Sequence, residues 1–240
     1  MNASGLWAVV PVKRFGNAKQ RLDPVLSPGE RASLACCMYA DVLQALADSP
    51  CLAGILVVTD DPLAADLARR AGAGVLRDAS PGLVPALEHA ACRLASAGAA
   101  GMLVVPADVP WITPADIEII ALAHRHRPAV TLVAASDDGG TNALACSPPG
   151  AIPLSYGTDS FARHRQAALD AGLTPKVLNL PRFGRDIDRP SDLLAFLARP
   201  SATQTHAWLL ASGVSRRLLE SQTPAPLPEP ADALSLLPKD

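Results

Sequence analysis

Seven side chains in this sequence have the types and spacing for phosphate chemistry. The stretch "VVPVKRFGNAKQRL" (9–22) carries Lys13, Arg14, Lys19 and Arg21 with no acid among them. Four of the 21 basic residues thus fall within nine of 240 positions. Two later stretches supply carboxylates. "VVPADVPWITPAD" (104–116) sets Asp108 between Pro106 and Pro110, which stiffen its turn, and "GRDIDRPSDLLAFL" (184–197) sets Asp186 and Asp188 two positions apart. Clustered Lys and Arg hold a polyanion such as a triphosphate through charge-assisted hydrogen bonds. One or two carboxylates plus phosphate oxygens are the ligand set that Mg²⁺ takes. Two aspartates at i and i+2 of an extended segment share a face, although only one of them need reach the metal. Each feature also has a bland alternative: a solvated basic loop, a turn aspartate, and an Asp188 that caps the next helix.

Such side chains work only if strand ends hold them. Leu6–Val12, Ile55–Thr59, Met102–Val105 and Val130–Ala134 are short, continuous apolar runs rich in β-branched residues, as expected of strands covered on both faces of a parallel sheet. Between them the helix starts are explicit. Ser27-Pro28-Gly29-Glu30 joins an N-cap serine, a proline at N1 and a capping-box glutamate. Asp61-Pro62 and Thr113-Pro114-Ala115-Asp116 repeat the pattern. Gly172 is placed to end a helix that starts near Ser160. Alternating strands and helices predict an α/β fold: a doubly wound, mostly parallel central sheet with helices on both faces and ligands at the carboxyl ends of the strands. The basic loop and Asp108 both follow strands directly, so both are expected at that edge.

Residues 1–222 read as a single domain, with a helical segment over 202–222 interrupted near Gly213. Residues 223–240 carry five prolines and read as a mobile tail. Charged residues make up 18% and the net charge is −2, which gives no general basic surface for nucleic acid. The first strand begins too early to leave room for a signal peptide, and no apolar run reaches the roughly 18–20 residues of a membrane span. The five cysteines show no Cys-x-x-Cys spacing, so neither a zinc site nor a disulfide framework is expected. The reading is a cytoplasmic protein with small-molecule ligands and no nucleic-acid or membrane partner; a homodimer is kept open. His124 and His126 are read as cations near a helix C-terminus, and His89 as a residue within a helix.

Together the stretches "PVKRFGNAKQRL", "VVPADVP" and "DIDRPSDL" resemble the nucleotidyltransferases of the glycosyltransferase-A-type, nucleotide-diphospho-sugar-transferase-like fold. The block "GGTNALACSPPGAIPLSYGTDSFARH" (139–164) more narrowly resembles the phospho-carboxylate guanylyltransferases of coenzyme F-420 (deazaflavin) biosynthesis. The resemblance spans roughly residues 6–220. It implies that GTP reacts with 2-phospho-L-lactate, phosphoenolpyruvate or 3-phospho-D-glycerate to give a GDP-linked acid and pyrophosphate, with one or two Mg²⁺ ions.

On that resemblance the residues acquire roles. Lys19 would contact the α-phosphate, and Lys13 and Arg21 the β- and γ-phosphates. Asp108 and Asp186 would hold the metal, with Asp188 a further candidate. Thr141, Asn142, Gly157 and Ser160 would bind the acceptor's carboxylate and phosphate. Gly139-Gly140 would admit close backbone approach, and the Ser160 hydroxyl and helix N–H groups would face an anion. Arg163 and His164 would either assist or face solvent. Without the resemblance, residues 139–160 read as a plain hairpin. Family members often carry a Gly-Leu-Asn turn against guanine. Here Gly82-Leu83 is followed by Val84-Pro85, leaving backbone groups at Gly82 and Leu83, with Thr59 and Asp60, to line the base pocket. Two alternatives stand beside this reading. One is a nucleotidyltransferase of the same fold acting on a sugar phosphate or a molybdopterin. The other is a non-catalytic signalling module that accepts a phosphoryl group on Asp60.

Overall fold

A computed structural model describes residues 5–77, 80, 82–136 and 139–220. The proline-rich segment 223–240 lies outside these residues. Seven strands form one sheet: β1 (Leu6–Val12), β2 (Leu52–Thr59), β3 (Gly74–Leu76), β4 (Gly101–Val104), β5 (Ala129–Ala134), β6 (Thr141–Ser147) and β7 (Lys176–Leu178), in the order β3-β2-β1-β4-β6-β5-β7. The helices are α1 (Pro28–Ala47), α2 (Pro62–Arg70), α3 (Leu83–Ser96), α4 (Pro114–Ala123), α5 (Ser160–Asp170), α6 (Pro190–Leu197), α7 (Gln204–Ala211) and α8 (Val214–Glu220).

The continuous apolar runs are explained by burial on both faces. Along β1, Ala8, Val10 and Val12 face a cluster filled by α1, α2, α4 and α6–α8, with Leu34, Met38, Ile117 and Phe196 among its buried side chains. Val9 faces the opposite cluster, where Leu87 and Leu94 of α3 and Ala168 of α5 pack. Alternate residues of one strand thus serve two helical layers.

Local signals set the helix ends. Ser27 and Glu30 form a reciprocal capping box on α1. The Asp61 side chain accepts from the Leu63 and Ala64 N–H groups at the start of α2. The expected break at Gly213 falls between α7 and α8, where that glycine has φ +74°. Gly172, at φ +73°, follows the end of α5.

One strand departs from the parallel pattern. β6 runs antiparallel to both β4 and β5, so its first residue, Thr141, lies opposite the last residue of β5, Ala134. The segment Thr141–Ser147 is therefore one arm of a hairpin and also a buried interior strand. β1 is paired in parallel with both β2 and β4. The chain winds outward through β2 and β3 and then returns to β4 beside β1. This reversal opens a crevice at the carboxyl ends of β1 and β4.

Candidate active site

The basic loop leaves the carboxyl end of β1 and makes two short 3₁₀ turns, Phe15–Asn17 and Gln20–Leu22. Between them Lys19 takes the left-handed conformation, φ +56°. For a residue with a β-carbon this costs roughly 1–2 kcal/mol, and such strain tends to collect at functional positions. Here it turns the Lys19 side chain inward, where it is 7% exposed and its Nζ donates to Asp108 Oδ2 at 2.7 Å and to Asp188 Oδ1 at 2.6 Å. Burial opposes the ammonium charge, but the two carboxylates outweigh it and hold the Lys19 pKa above its ordinary value. Lys19 is thus held as a buried cation by its two carboxylate partners.

Asp61 tethers the loop. Its Oδ2 accepts from the Phe15 N–H at 3.0 Å while Oδ1 caps α2. Arg14, to which the sequence assigned no role, donates to Asp60 Oδ2 at 2.8 Å. Nothing in the sequence pattern pointed to Asp61 except its cap signature, which accounts for only one of its two oxygens.

Asp108, Asp186 and Asp188 converge, with one ligand oxygen of each within 4.8 Å of the others. Asp186 and Asp188 share a face as their spacing implied, and Ile187 between them turns into the core. The Ile187 N–H donates to the Asp108 carbonyl at 3.2 Å, which ties the two segments together. Burial, with the Asp108 charge behind it, raises the Asp186 pKa. Burial also pushes Asp188 upward, but Lys19 and then Arg21 overcome it and leave its carboxyl below the ordinary value. Asp188 does not cap α6; the Asp192 side chain does so, accepting from the Asp188 and Arg189 N–H groups at 3.0 and 2.7 Å. Three hard oxygen donors crowded against one another fit a divalent cation such as Mg²⁺, since Lys19 alone does not balance their charge.

Three cavities join at this point. One of about 650 Å³ is lined by Lys13, Lys19, Arg21, Asp108 and Asp188. A second of about 350 Å³ shares Lys13 and Leu83 with it and adds Thr59, Asp60 and Gly82. A third of about 590 Å³ shares Arg21, Asp108 and Asp188 with the first and adds Thr141, Asn142, Gly157, Ser160, Asp186 and Arg189. Lys13, Lys19, Arg21, the three aspartates, Thr141, Asn142, Gly157, Ser160, Thr59, Asp60, Gly82 and Leu83 each line at least one of them, whereas Gly139, Arg163 and His164 line none. Arg189 was passed over as the opening of a helix; its place next to Asp188 was the available signal.

Several expectations change in detail. The Asn142 amide nitrogen donates to the Phe183 carbonyl at 2.8 Å and to Asp186 Oδ1 at 3.1 Å. Both of its hydrogens are thereby used, and Asn142 orients a carboxylate. The Ser160 and Phe161 N–H groups donate to the carbonyls of Gly157 and Gly139, so they do not face an anion; the Ser160 hydroxyl is the polar group left there. Thr59 Oγ1 accepts from the Asp61 N–H at 3.0 Å. His164 does not face solvent but is fully buried, and Arg163 donates to the Ser155 and Tyr156 carbonyls. His124 is not a helix-end cation either. It lies buried between Thr131 and Ser147, and burial pushes its pKa down to about 4, so it is neutral.

No helix among the described residues is long and apolar enough to cross a membrane. Comparison with known proteins agrees with the geometry. A relative from Rubrobacter xylanophilus named phosphoenolpyruvate guanylyltransferase is 41% identical over 78% of this chain and 91% of its own length. One from Colwellia psychrerythraea named 3-phospho-D-glycerate guanylyltransferase is 37% identical over 80% of this chain and 92% of its own. Among solved structures, a candidate nucleotide-diphospho-sugar transferase from Desulfovibrio desulfuricans aligns with TM-score 0.73 at 19% identity, covering 91% of this chain and 98% of that one. At that identity the likeness shows the fold, which is that of the nucleotidyltransferases. Residues 6–224 match the family described as "Guanylyl transferase CofC like". The chain belongs to that family and is a nucleotidyltransferase, which sets aside the reading as a non-catalytic signalling module.

Proposed function

We propose that the enzyme transfers GMP from GTP to the phosphate of a phosphorylated three-carbon acid and releases pyrophosphate. Phosphoenolpyruvate is the favoured acceptor, on the name of the Rubrobacter relative; 3-phospho-D-glycerate comes next, on that of the Colwellia relative, and 2-phospho-L-lactate after it. The observation that carries the reading is the position of Lys19, which lies between Asp108 and Asp188, the two carboxylates shared by the first and third cavities.

An acceptor phosphate oxygen attacks the α-phosphorus of GTP, and the bond to the β-phosphate oxygen breaks as pyrophosphate leaves with its electron pair. The nucleophile is already ionised at neutral pH, so no strong base is required. The work of the protein is to align two anions and neutralise them. Lys19 contacts the α-phosphate and Lys13 the departing phosphates. Arg21, lining both cavities, holds donor and acceptor oxygens near their junction. Asp108, Asp186 and Asp188 hold one or two Mg²⁺ ions, which when bound polarise phosphate oxygens and offset their charge. Thr141, Gly157 and Ser160, with Arg189 as an added cation, take the acceptor. Thr59, Asp60, Gly82 and Leu83 surround the base. The Asp60 carboxylate supplies an acceptor for the N–H donors of guanine, a role the missing asparagine after Leu83 leaves open.

Residues 1–222 form the catalytic unit in this reading. The enzyme acts on small molecules in the cytoplasm, and its product belongs to coenzyme F-420 assembly. The test is mass spectrometry of products from each of the four nucleoside triphosphates with phosphoenolpyruvate, 3-phosphoglycerate, 2-phospholactate and a set of sugar phosphates. A GDP-linked acid is expected. Turnover of CTP with a sugar phosphate, and none with the three acids, would replace this reading with a different acceptor class.

A further inference from the structure

His164 has no part in the chemistry above, yet it sits behind the acceptor cavity and bridges two separate segments, β6 at Thr141 and the loop at Ser155 and Tyr156. Its Nε2 lies 2.9 Å from the Ser155 backbone nitrogen. A backbone N–H only donates, so Nε2 is the bare, accepting nitrogen. In a neutral imidazole the one ring proton is then on Nδ1. Nδ1 lies 2.9 Å from Thr141 Oγ1, so this N–H donates to the threonine oxygen. The Ser160 hydroxyl, at 3.3 Å, donates to the same oxygen. Both acceptor positions of Thr141 are thereby filled. Its own hydrogen is left, no described residue offers that hydrogen an acceptor, and Thr141 lines the 590 Å³ cavity.

We infer that His164 is a positioning residue that fixes the proton polarity of the acceptor site, making Thr141 an obligate hydrogen-bond donor toward an oxyanion in the cavity. The inference rests on the reading of that cavity as the acceptor's. The direction of each bond in the chain from Ser155 through His164 to Thr141 follows from its first member, which cannot reverse. Ring rotation is opposed on two sides. A flipped imidazole would present a C–H to the Ser155 N–H, and the Tyr156 ring packs edge-on with centroids 4.9 Å apart. Burial, with the Arg163 charge adding to it, lowers the His164 pKa to about 4, which keeps the ring neutral at physiological pH. A ligand oxygen that only accepts, as in a phosphate or carboxylate, suits this arrangement, whereas a group that must donate meets a hydroxyl whose lone pairs are occupied.

The direct test is imidazole ¹⁵N NMR of the wild-type protein carrying ¹⁵N-histidine, with His164 assigned by comparison with His164→Asn. A protonated Nδ1 and a bare Nε2, unchanged from pH 7.5 to about 5.5, are expected. A proton on Nε2, or titration near the ordinary histidine value of roughly 6.5, would overturn the inference. Kinetics supply a second arm. Thr141→Val should raise the acceptor KM about ten-fold or more with the GTP KM unchanged, and Thr141→Ser should restore it. His164→Asn, which keeps an N–H donor near the Nδ1 position, should stay nearer to wild type in acceptor KM than His164→Leu. Equal losses in those two variants, or a matching rise in the GTP KM, would reduce His164 to packing and overturn its positioning role. The expected tautomer in a protein that uses none of the three acids would support the proton polarity while overturning the functional reading.

Discussion

Lys19 Nζ and Asp188 Oδ1 lie 2.6 Å apart although 169 positions separate them in the chain. The contact joins the first loop to the segment ahead of α6 and sets a buried cation among three carboxylates. Removing that cation should do two things. Lys19→Ala is expected to lower kcat by roughly 10²–10³-fold, the range for loss of one group aimed at developing transition-state charge. It should also free Asp108 and Asp188, so that calorimetric titration with Mn²⁺ in the absence of nucleotide shows tighter binding than in wild type. Near-wild-type turnover in this variant would remove Lys19 from the mechanism.

The acidic cluster has the opposite signature. Asp108→Asn and Asp186→Asn should each abolish measurable turnover and weaken Mn²⁺ binding. Asn142→Leu should give a milder, parallel loss, because it removes the donor that orients Asp186 without removing a ligand. An Asn142→Leu variant with unchanged metal affinity would limit that side chain to its bond with the Phe183 carbonyl.

Asp61 joins the cap of α2 to the anchoring of the basic loop. Asp61→Ala removes an N-cap, which costs about 1 kcal/mol, and also frees the Phe15 N–H that anchors the basic loop. The expected outcome is a lower melting temperature together with a GTP KM raised several-fold and an acceptor KM little changed. A stability loss with both KM values intact would confine Asp61 to capping α2.

Two buried histidines give the fold a pH dependence. The His124 and His164 pKa values are both depressed to about 4, whereas in the unfolded chain they would be near 6.5. Between those limits the unfolded state binds more protons, so stability rises with pH. Their contribution is complete above about pH 6.5 and is lost as pH falls toward 4, with a slope of up to about 1.4 kcal/mol per pH unit for each histidine. Urea denaturation at pH 7 and pH 5 should show this loss. His124→Gln, which removes one titrating group remote from the cleft, should make the slope shallower.

The parts of this protein legible in its sequence are those governed by local rules. β1 was read residue for residue because burial on both faces leaves an unbroken apolar run. The starts of α1, α2 and α4 followed from caps followed by proline. The candidate site was legible where charged residues follow a strand, as at Lys19 and Asp108, and where two carboxylates stand two apart in an extended segment, as at Asp186 and Asp188. The antiparallel direction of β6 was not, since a buried strand has the same composition in either direction. His164 was left open between assisting and facing solvent because its surroundings are assembled from Thr141 and Ser155, and a lone histidine on a helix carries no sign of what will cover it. Arg14 and Asp60 are likewise 46 positions apart, and nothing local pairs them.

The reversed direction of β6 has a consequence for how the enzyme can diversify. Strands parallel to β1 reach the cleft with their last residues, so the loops that follow them, including the cationic one, line the proposed nucleotide half of it. β6 reaches the same edge with its first residue, Thr141, and its far end leads away through 148–159 before α5 returns with Ser160 and His164. The part of the proposed acceptor cavity formed by Gly140, Thr141, Asn142, Tyr156, Gly157, Thr158 and Ser160 is therefore encoded in one continuous cassette, residues 139–164, while Arg21, Asp108, Asp186, Asp188 and Arg189 reach it from other segments. Exchanging that cassette between relatives that use different acids should move acceptor choice with it and leave the nucleotide half unchanged.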